Sequence, residues 1–181
     1  MDISRFIIMP NHLSILGIIH TAISVIALLA GLAALFKTGR IDPRNTIGQW
    51  YVLLTVITCI TGFPIMKTGH LTGGHYLGII ILVLLPPGIY ARRIFGKAAG
   101  YIQLFIMSAT LFLSMIPAVI ETLTRLPISH PLAASPADPL IQNVLPAVLV
   151  LYLAGVSYQI VKYRKQGKAP QNDAPTANTS A

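Results

Sequence analysis

Histidine is the residue type in this chain that offers the widest choice of chemistry. The sequence has five of them: His12, His20, His70, His75 and His130. A neutral imidazole ligates haem iron, copper or zinc, and it changes charge near neutral pH. His20 lies inside a long apolar run, where an imidazole needs a hydrogen-bond partner or a metal. We predict His20 and His75 as axial ligands of haem b or as ligands of a copper or zinc ion, with His70 as a further metal ligand.

The spacing of His20 and His75 supports their pairing. His20 stands 17 residues before Lys37, and His75 stands 17 residues before Arg92. At 1.5 Å per residue, two unbroken helices would hold both imidazoles about 25 Å above these basic residues. We therefore expect the two side chains to face each other at one depth. The alternative is that His20 bonds to a neighbouring helix and the other histidines lie at the membrane interface.

Glu121 is an acidic residue close to the end of an apolar run. Its structural role would be an ion pair with Arg125 at the helical spacing i+4. Its functional role would be a proton acceptor, or a carboxylate that orients the histidines. The sequence leaves both roles open.

Small residues recur at helical spacing near both histidines. They are Ser24, Gly31, Gly74 and Gly78. Small side chains let two membrane helices approach closely, so we predict that these positions pack helices together. The second apolar run carries a similar stripe of Thr55, Thr58, Cys59 and Gly62. The alternative for these stripes is a polar path through the bundle.

Five apolar runs carry these residues. They cover residues 13–36, 47–66, 75–91, 101–120 and 140–161. Most of them approach the ~20 residues that a helix needs to cross the hydrocarbon core of a bilayer. We predict an all-α, polytopic integral membrane protein whose residues 1–165 form five transmembrane helices. Residues 166–181 are polar and contain proline, which predicts a disordered cytoplasmic tail.

Basic residues are unevenly distributed between the two sides of these runs. Of the 13 Lys and Arg residues, ten follow the first, third and fifth runs and three lie on the other side. Short cytoplasmic loops of membrane proteins are enriched in Lys and Arg. We therefore predict a bacterial inner-membrane protein with its N-terminus outside and its C-terminus in the cytoplasm. The histidines then lie toward the outer face.

Composition agrees with a membrane protein and argues against other classes. Hydrophobic residues make up 54% of the chain and charged residues 10%. The net charge of +8 comes from helix ends, so we expect the lipid bilayer as partner and no nucleic acid. Other membrane subunits, or a second copy of the chain, are further candidate partners. Nucleotide-binding and hydrolase motifs are absent from the sequence.

The first four runs resemble one unit used twice. In each copy a histidine precedes a helix that ends in basic residues. A glycine and an aromatic residue then open the returning helix, with Gly48 and Tyr51 in the first copy and Gly100 and Tyr101 in the second. Both copies run in the same direction, which predicts a parallel two-helix repeat.

One stretch of the sequence resembles a known family. The string IHTAISVIALLAGLAALFKTGR, followed by Arg44, Gly48 and Tyr51, is similar to an uncharacterised family of small bacterial membrane proteins. That family has a His-led helix, a basic turn with a His-Arg pair, and a glycine and an aromatic residue at the next helix. The resemblance covers about residues 18–105, although the turn at 41–45 has no histidine here. It implies a polytopic membrane protein and no particular activity.

Two classes of function follow from these patterns. One is a redox or electron-transfer membrane protein that binds haem or a metal ion at its outer histidines. The other is a non-catalytic accessory subunit or assembly factor of a membrane complex. A small transporter ranks third, because the helices hold no buried ion pair. Whether the chain is an enzyme stays open.

Overall fold

The computed structural model describes residues 14–65, 70–127 and 129–166, and within them every regular element is helical. The elements are α1 (Ile15–Thr38), α2 (Thr46–Gly62), α3 (Gly73–Ile89), α4 (Ala91–Ile94), a 3₁₀ turn (Gly96–Ala98), α5 (Ala99–Arg125) and α6 (Pro139–Gln166). The all-α prediction is confirmed for this part of the chain. His12, Lys67 and the predicted tail after Gln166 lie outside the described residues.

Three helices are long and apolar enough to cross a membrane by their length and composition. They are α1, α5 with its preceding 3₁₀ turn, and α6. The helices α2 and α3 are apolar too, but each has only 17 residues. The long helices turn aliphatic side chains outward, as with Ile15 at 79% and Leu151 at 71% exposure. These helices indicate a membrane protein. The prediction of five membrane-spanning helices goes beyond this finding and stays a prediction.

Local sequence explains where three of the helices begin. The side chain of Ser14 accepts the Gly17 N–H at 3.1 Å, and Asn45 Oδ1 accepts the Gly48 N–H at 2.7 Å. Asp138 Oδ1 accepts the Leu140 N–H at 2.9 Å. Such side chains satisfy amide donors that the first helical turn leaves without partners. The helices α1, α2 and α6 therefore start close to the predicted positions.

The bundle consists of antiparallel neighbours. The most extensive contacts join α1 to α2, α3 to α5 and α5 to α6, and α2 also packs on α3. Tyr51 is fully buried at the centre, where its hydroxyl donates to Thr110 Oγ1 at 2.9 Å. A Cβ atom at Gly31 would lie 2.9 Å from the Tyr51 ring, so α1 approaches α2 closely here. Ser108 on α5 donates to Gln159 on α6 at 3.0 Å.

The connection from α3 to α5 differs from the turn between α1 and α2. Lys37 lies inside α1, whereas α3 ends at Ile89 and Arg92 belongs to the separate helix α4. Equal residue spacing therefore does not by itself guarantee equal rise, and the equal depth of His20 and His75 stays a prediction. The second hairpin also has a longer returning helix, since α5 has 27 residues and α2 has 17. The parallel repeat stays a prediction.

Candidate functional site

A cavity of about 260 Å³ lies among α1, α2, α3 and α5. It is bordered by the N-terminal parts of α1 and α3 and the C-terminal parts of α2 and α5, so it lies at the end of the bundle away from the basic turns. Its lining includes His20, His75 and Glu121. His20, His75 and Glu121 are thus brought to one cavity by three different helices.

His20 reaches this cavity with one ring nitrogen in use. Its Nδ1 lies 3.1 Å from Thr61 Oγ1. The Thr61 hydroxyl donates its hydrogen to the Ile57 carbonyl at 2.8 Å, so we assign it as the acceptor of the His20 Nδ1–H. The Nε2 atom of His20 is then a lone-pair acceptor without a direct hydrogen bond to the described residues, and the Thr58 backbone also lies close to the imidazole. A Cβ at Gly62 would lie 3.2 Å from His20 Cε1, so glycine leaves room for the ring.

His75 uses both of its ring nitrogens within the protein. Its Nδ1 accepts the backbone N–H of Thr72 at 3.0 Å and lies 2.8 Å from the Thr72 hydroxyl. Its Nε2–H donates to the Phe63 carbonyl at 3.3 Å. This arrangement is a capping box at the start of α3 that also ties α3 to the end of α2. An axial bond from His75 to haem iron would require one of these hydrogen bonds to break.

The third predicted metal ligand does not join the first two. His70 precedes α3 at an exposed position and does not line the cavity. Within residues 14–65, 70–127 and 129–166, no three His, Cys, Asp or Glu side chains form a group that could hold a metal ion. His130 is exposed in the loop before α6. The described geometry therefore favours His20 over the other histidines as a ligand-binding group.

The polar stripe of α2 faces the cavity. Thr55, Thr58, Cys59 and Gly62 all contribute to its lining. The hydroxyl groups of Thr55 and Thr58 are buried and have no hydrogen-bond partner in the described part of the chain. Buried polar groups in native proteins are nearly always hydrogen-bonded, so these two hydroxyls are candidate contacts for a bound polar group. Both alternatives for this stripe, helix packing and a polar path through the bundle, stay open.

Glu121 forms the ion pair with Arg125 that its i+4 spacing suggests. Both residues line the cavity, and the Glu121 side chain is 55% exposed. Ser114 also lines the cavity and lies seven residues before Glu121 on the same face of α5. The sequence patterns described above did not point to Ser114. Its helical spacing from Glu121 is the signal that points to it.

The four small residues have different surroundings. Ser24 lines the cavity, and its hydroxyl donates to the His20 carbonyl at 2.6 Å. Gly31 packs tightly against α2 and α5, since a Cβ there would lie 2.8 Å from Leu111 Cδ1. A Cβ at Gly78 would just reach Cys59 at 4.0 Å, and one at Gly74 would meet only Thr72 Oγ1 at 3.7 Å. No neighbouring helix approaches Gly74 among the described residues.

The protein is a helical bundle with helices that are long and apolar enough to cross a membrane. Its cavity lies at the end of the bundle opposite the basic turns. Comparisons with protein-family models, with curated proteins and with solved structures returned no match to this chain. The resemblance to a family of small bacterial membrane proteins stays a prediction. The function is therefore argued from the cavity itself.

Proposed function

We propose that this chain is a multi-pass membrane protein that binds a small, largely apolar molecule in the cavity between α1, α2, α3 and α5. The observation that carries the proposal is the pair of buried hydroxyls without partners on Thr55 and Thr58, two residues that line the cavity. An unsatisfied buried hydroxyl costs about 1–3 kcal/mol, and a ligand that accepts its hydrogen removes that cost.

The proposal includes five membrane-crossing helices with the cavity toward the outer face. At 1.5 Å per residue, α2 and α3 rise about 25 Å, slightly less than the ~30 Å hydrocarbon core. α2 packs on the longer α1, α3 packs on the longer α5, and α2 and α3 also pack on each other. The basic turns after α1 and α3 lie at the same end of the bundle, where Arg44 and Arg92 line one cleft. The distribution of basic residues assigns that end to the cytoplasm.

The walls of the cavity define the chemistry of the ligand. Side chains such as Val25, Leu28 and Ile81 give it an apolar surface. Its volume of about 260 Å³ is slightly below the ~300 Å³ at which the usual range of ligand pockets begins, so the ligand must be small. His20 Nε2 accepts a hydrogen bond, and the Thr58 hydroxyl donates one. A small apolar molecule with a hydroxyl group, which can donate to His20 and accept from Thr58, satisfies these features.

The redox function is the second candidate, and one observation favours it. His20 keeps a ring nitrogen without a protein partner in the same cavity as Glu121. A haem with two axial histidines is less favoured, because both ring nitrogens of His75 already hold hydrogen bonds. A single-histidine haem or metal site remains compatible with these contacts. An accessory-subunit or transporter function does not by itself give the unpartnered hydroxyls of Thr55 and Thr58 a role.

The test compares the molecules that copurify with the wild-type protein and with Thr58→Val. The two side chains have similar shape, so the variant removes the hydroxyl with little change in packing. We expect the organic extract of wild-type protein to contain one molecule in stoichiometric amount by mass spectrometry. In Thr58→Val its amount should fall several-fold, while the thermal stability of the ligand-free protein stays unchanged or rises.

Thr124→Val is the matched control. The Thr124 hydroxyl already donates to the Ile120 carbonyl at 2.7 Å and does not line the cavity. Its loss should leave ligand content unchanged. Absorption spectra and metal analysis of the same samples test the redox candidate, which expects a signal that His20→Ala abolishes. If neither an organic molecule nor a metal copurifies, the accessory-subunit alternative replaces this proposal.

A further inference from the structure

A second cleft, of about 360 Å³, lies at the opposite end of the bundle. Its walls come from three separate segments of the chain. Arg40 and Arg44 belong to the turn between α1 and α2, Arg92 and Lys97 to the connection between α3 and α5, and Tyr163 to α6. Residues distant in sequence thus place four cationic side chains around one space.

The positive charge of this cleft is only partly neutralised. Among the described residues, Asp42 is the one carboxylate in ion-pair contact with these cations, through Arg44 at 3.0 Å and Arg40 at 3.4 Å. Arg92 and Lys97 have no ion pair within the described part of the chain. Four cations and one carboxylate leave an excess of three positive charges, which favours an anionic ligand.

Part of the cleft is held in place by hydrogen bonds that are independent of any ligand. The guanidinium of Arg44 bonds to both carboxylate oxygens of Asp42, at 3.0 and 3.1 Å. It also donates to Gln103 Oε1 at 3.1 Å, and Gln103 Nε2 donates to the Gly88 carbonyl at 3.1 Å. Gln103 is buried, with 6% of its surface exposed. The cation of Arg40 lies 5.6 Å from the centre of the Tyr163 ring.

The start of α5 borders the cleft through Ala99 and Gly100. The 3₁₀ turn runs directly into α5, and the Ala99 N–H already donates to the Gly96 carbonyl. The attraction for anions therefore comes from the cationic side chains around the cleft. A Cβ at Gly100 would lie 2.0 Å from the Tyr163 hydroxyl, so only glycine lets α6 close this side of the cleft.

We propose that this cleft binds a phosphate-bearing anion, with Arg92 and Lys97 as the ligand-contacting cations and Arg44 as a pre-positioned one. Arg side chains match the geometry of phosphate oxygens, and basic pockets between membrane helices take up anionic lipid headgroups. The phosphate belongs either to such a headgroup or to a free phosphate ion. This site is separate from the cavity near His20 and does not depend on what binds there.

The experiment uses the full-length protein in phosphatidylcholine nanodiscs and measures its thermal unfolding. One arm adds phosphatidylglycerol to the nanodiscs, and the other adds inorganic phosphate, with chloride at equal ionic strength as reference. Stabilisation by phosphatidylglycerol alone identifies a lipid headgroup as the source of the phosphate. Equal stabilisation by inorganic phosphate identifies a free ion. Absence of stabilisation in both arms overturns the proposal.

Paired variants then locate the binding. The double variant Arg92→Gln with Lys97→Gln should weaken binding of the stabilising anion by roughly tenfold or more. The control combines Arg93→Gln with Arg164→Gln, which removes the same charge at the same end outside the cleft. It should change binding less than threefold. Equal losses in the two variants would mean diffuse attraction to a basic surface and refute the site. If the double variant does not fold, the single variant Lys97→Gln, at an exposed position, is compared with the control instead.

Discussion

The two histidines of the cavity among α1, α2, α3 and α5 are in different hydrogen-bonding states. His75 donates through Nε2 and accepts through Nδ1, so its ring is fixed as part of a helix cap. His20 donates through Nδ1 and keeps Nε2 available. A ring whose two nitrogens both have partners contributes mainly to stability, whereas a free nitrogen can bind a ligand or a proton. Chemistry at this cavity therefore centres on His20.

Two glycines give a residue-scale test of the helix packing. Gly31→Ala should lower the free energy of unfolding by about 1–3 kcal/mol, because the new Cβ would lie 2.8 Å from Leu111 and 2.9 Å from the Tyr51 ring. Gly155→Ala is the control, since nothing lies within 4 Å of a Cβ there. It should raise stability by about 0.5–1 kcal/mol. Thermal unfolding in detergent measures both, and a stable Gly31→Ala protein would contradict the close contact.

At the scale of elements, the turn between α1 and α2 is organised by Asp42. Its carboxylate accepts the Arg44 backbone N–H at 3.1 Å besides its ion pairs with Arg44 and Arg40. Burial alone would raise the pKa of Asp42, but the hydrogen bonds and charges of these arginines outweigh burial and hold the pKa below its ordinary value of 3.8. Through Arg44 and Gln103 the same network reaches α5 and α3.

This network makes stability depend on pH in the acid range. Because the pKa of Asp42 is lower in the folded state, its contribution is complete above the unfolded value of about 3.9 and is lost as pH falls through the folded value. Asp42→Asn should reduce stability at neutral pH by about 1–3 kcal/mol and flatten the acid loss. Unfolding curves measured from neutral to strongly acidic pH test this. An unchanged acid profile in the variant would show that Asp42 is not ion-paired in solution.

At the scale of the whole molecule, basic residues of distant segments meet at one end. Arg40 follows α1 and Arg92 follows α3, yet both line one cleft together with Tyr163 of α6. A cytoplasmic location of this end places the C-terminus in the cytoplasm and the loop before α6 outside.

Reporter fusions test this orientation. A fusion at Ala181 should be active with a cytoplasmic reporter and inactive with a periplasmic one. The opposite pattern is expected for a reporter inserted near Ser135, in the exposed loop before α6. A C-terminus on the outer side would reverse the assignment of both the cavity and the basic cleft.

The helices and the clustering of basic residues at helix ends could be predicted from the sequence, because both depend on local properties. Apolar runs, caps such as Asn45 and basic turns act over a few residues, so the sequence predicts five of the helices close to their observed positions. It does not predict α4, and it continues the second helix to residue 66, past the end of α2 at Gly62. Further exceptions are the ends of α5 and α6, which continue past their apolar runs to Arg125 and Gln166. Beyond the apolar runs, residues of ordinary helix propensity continue these two helices, although these residues are no longer predominantly apolar.

The tertiary structure alone decided how the candidate residues are used. His20 and His75 look alike in sequence, but the bonds of His75 to Phe63 and of His20 to Thr61 join different helices. The unpartnered hydroxyl of Thr58 and the cleft around Arg92 likewise depend on contacts between distant segments. Which polar atoms find partners is set by how helices pack, and no local pattern contains that information.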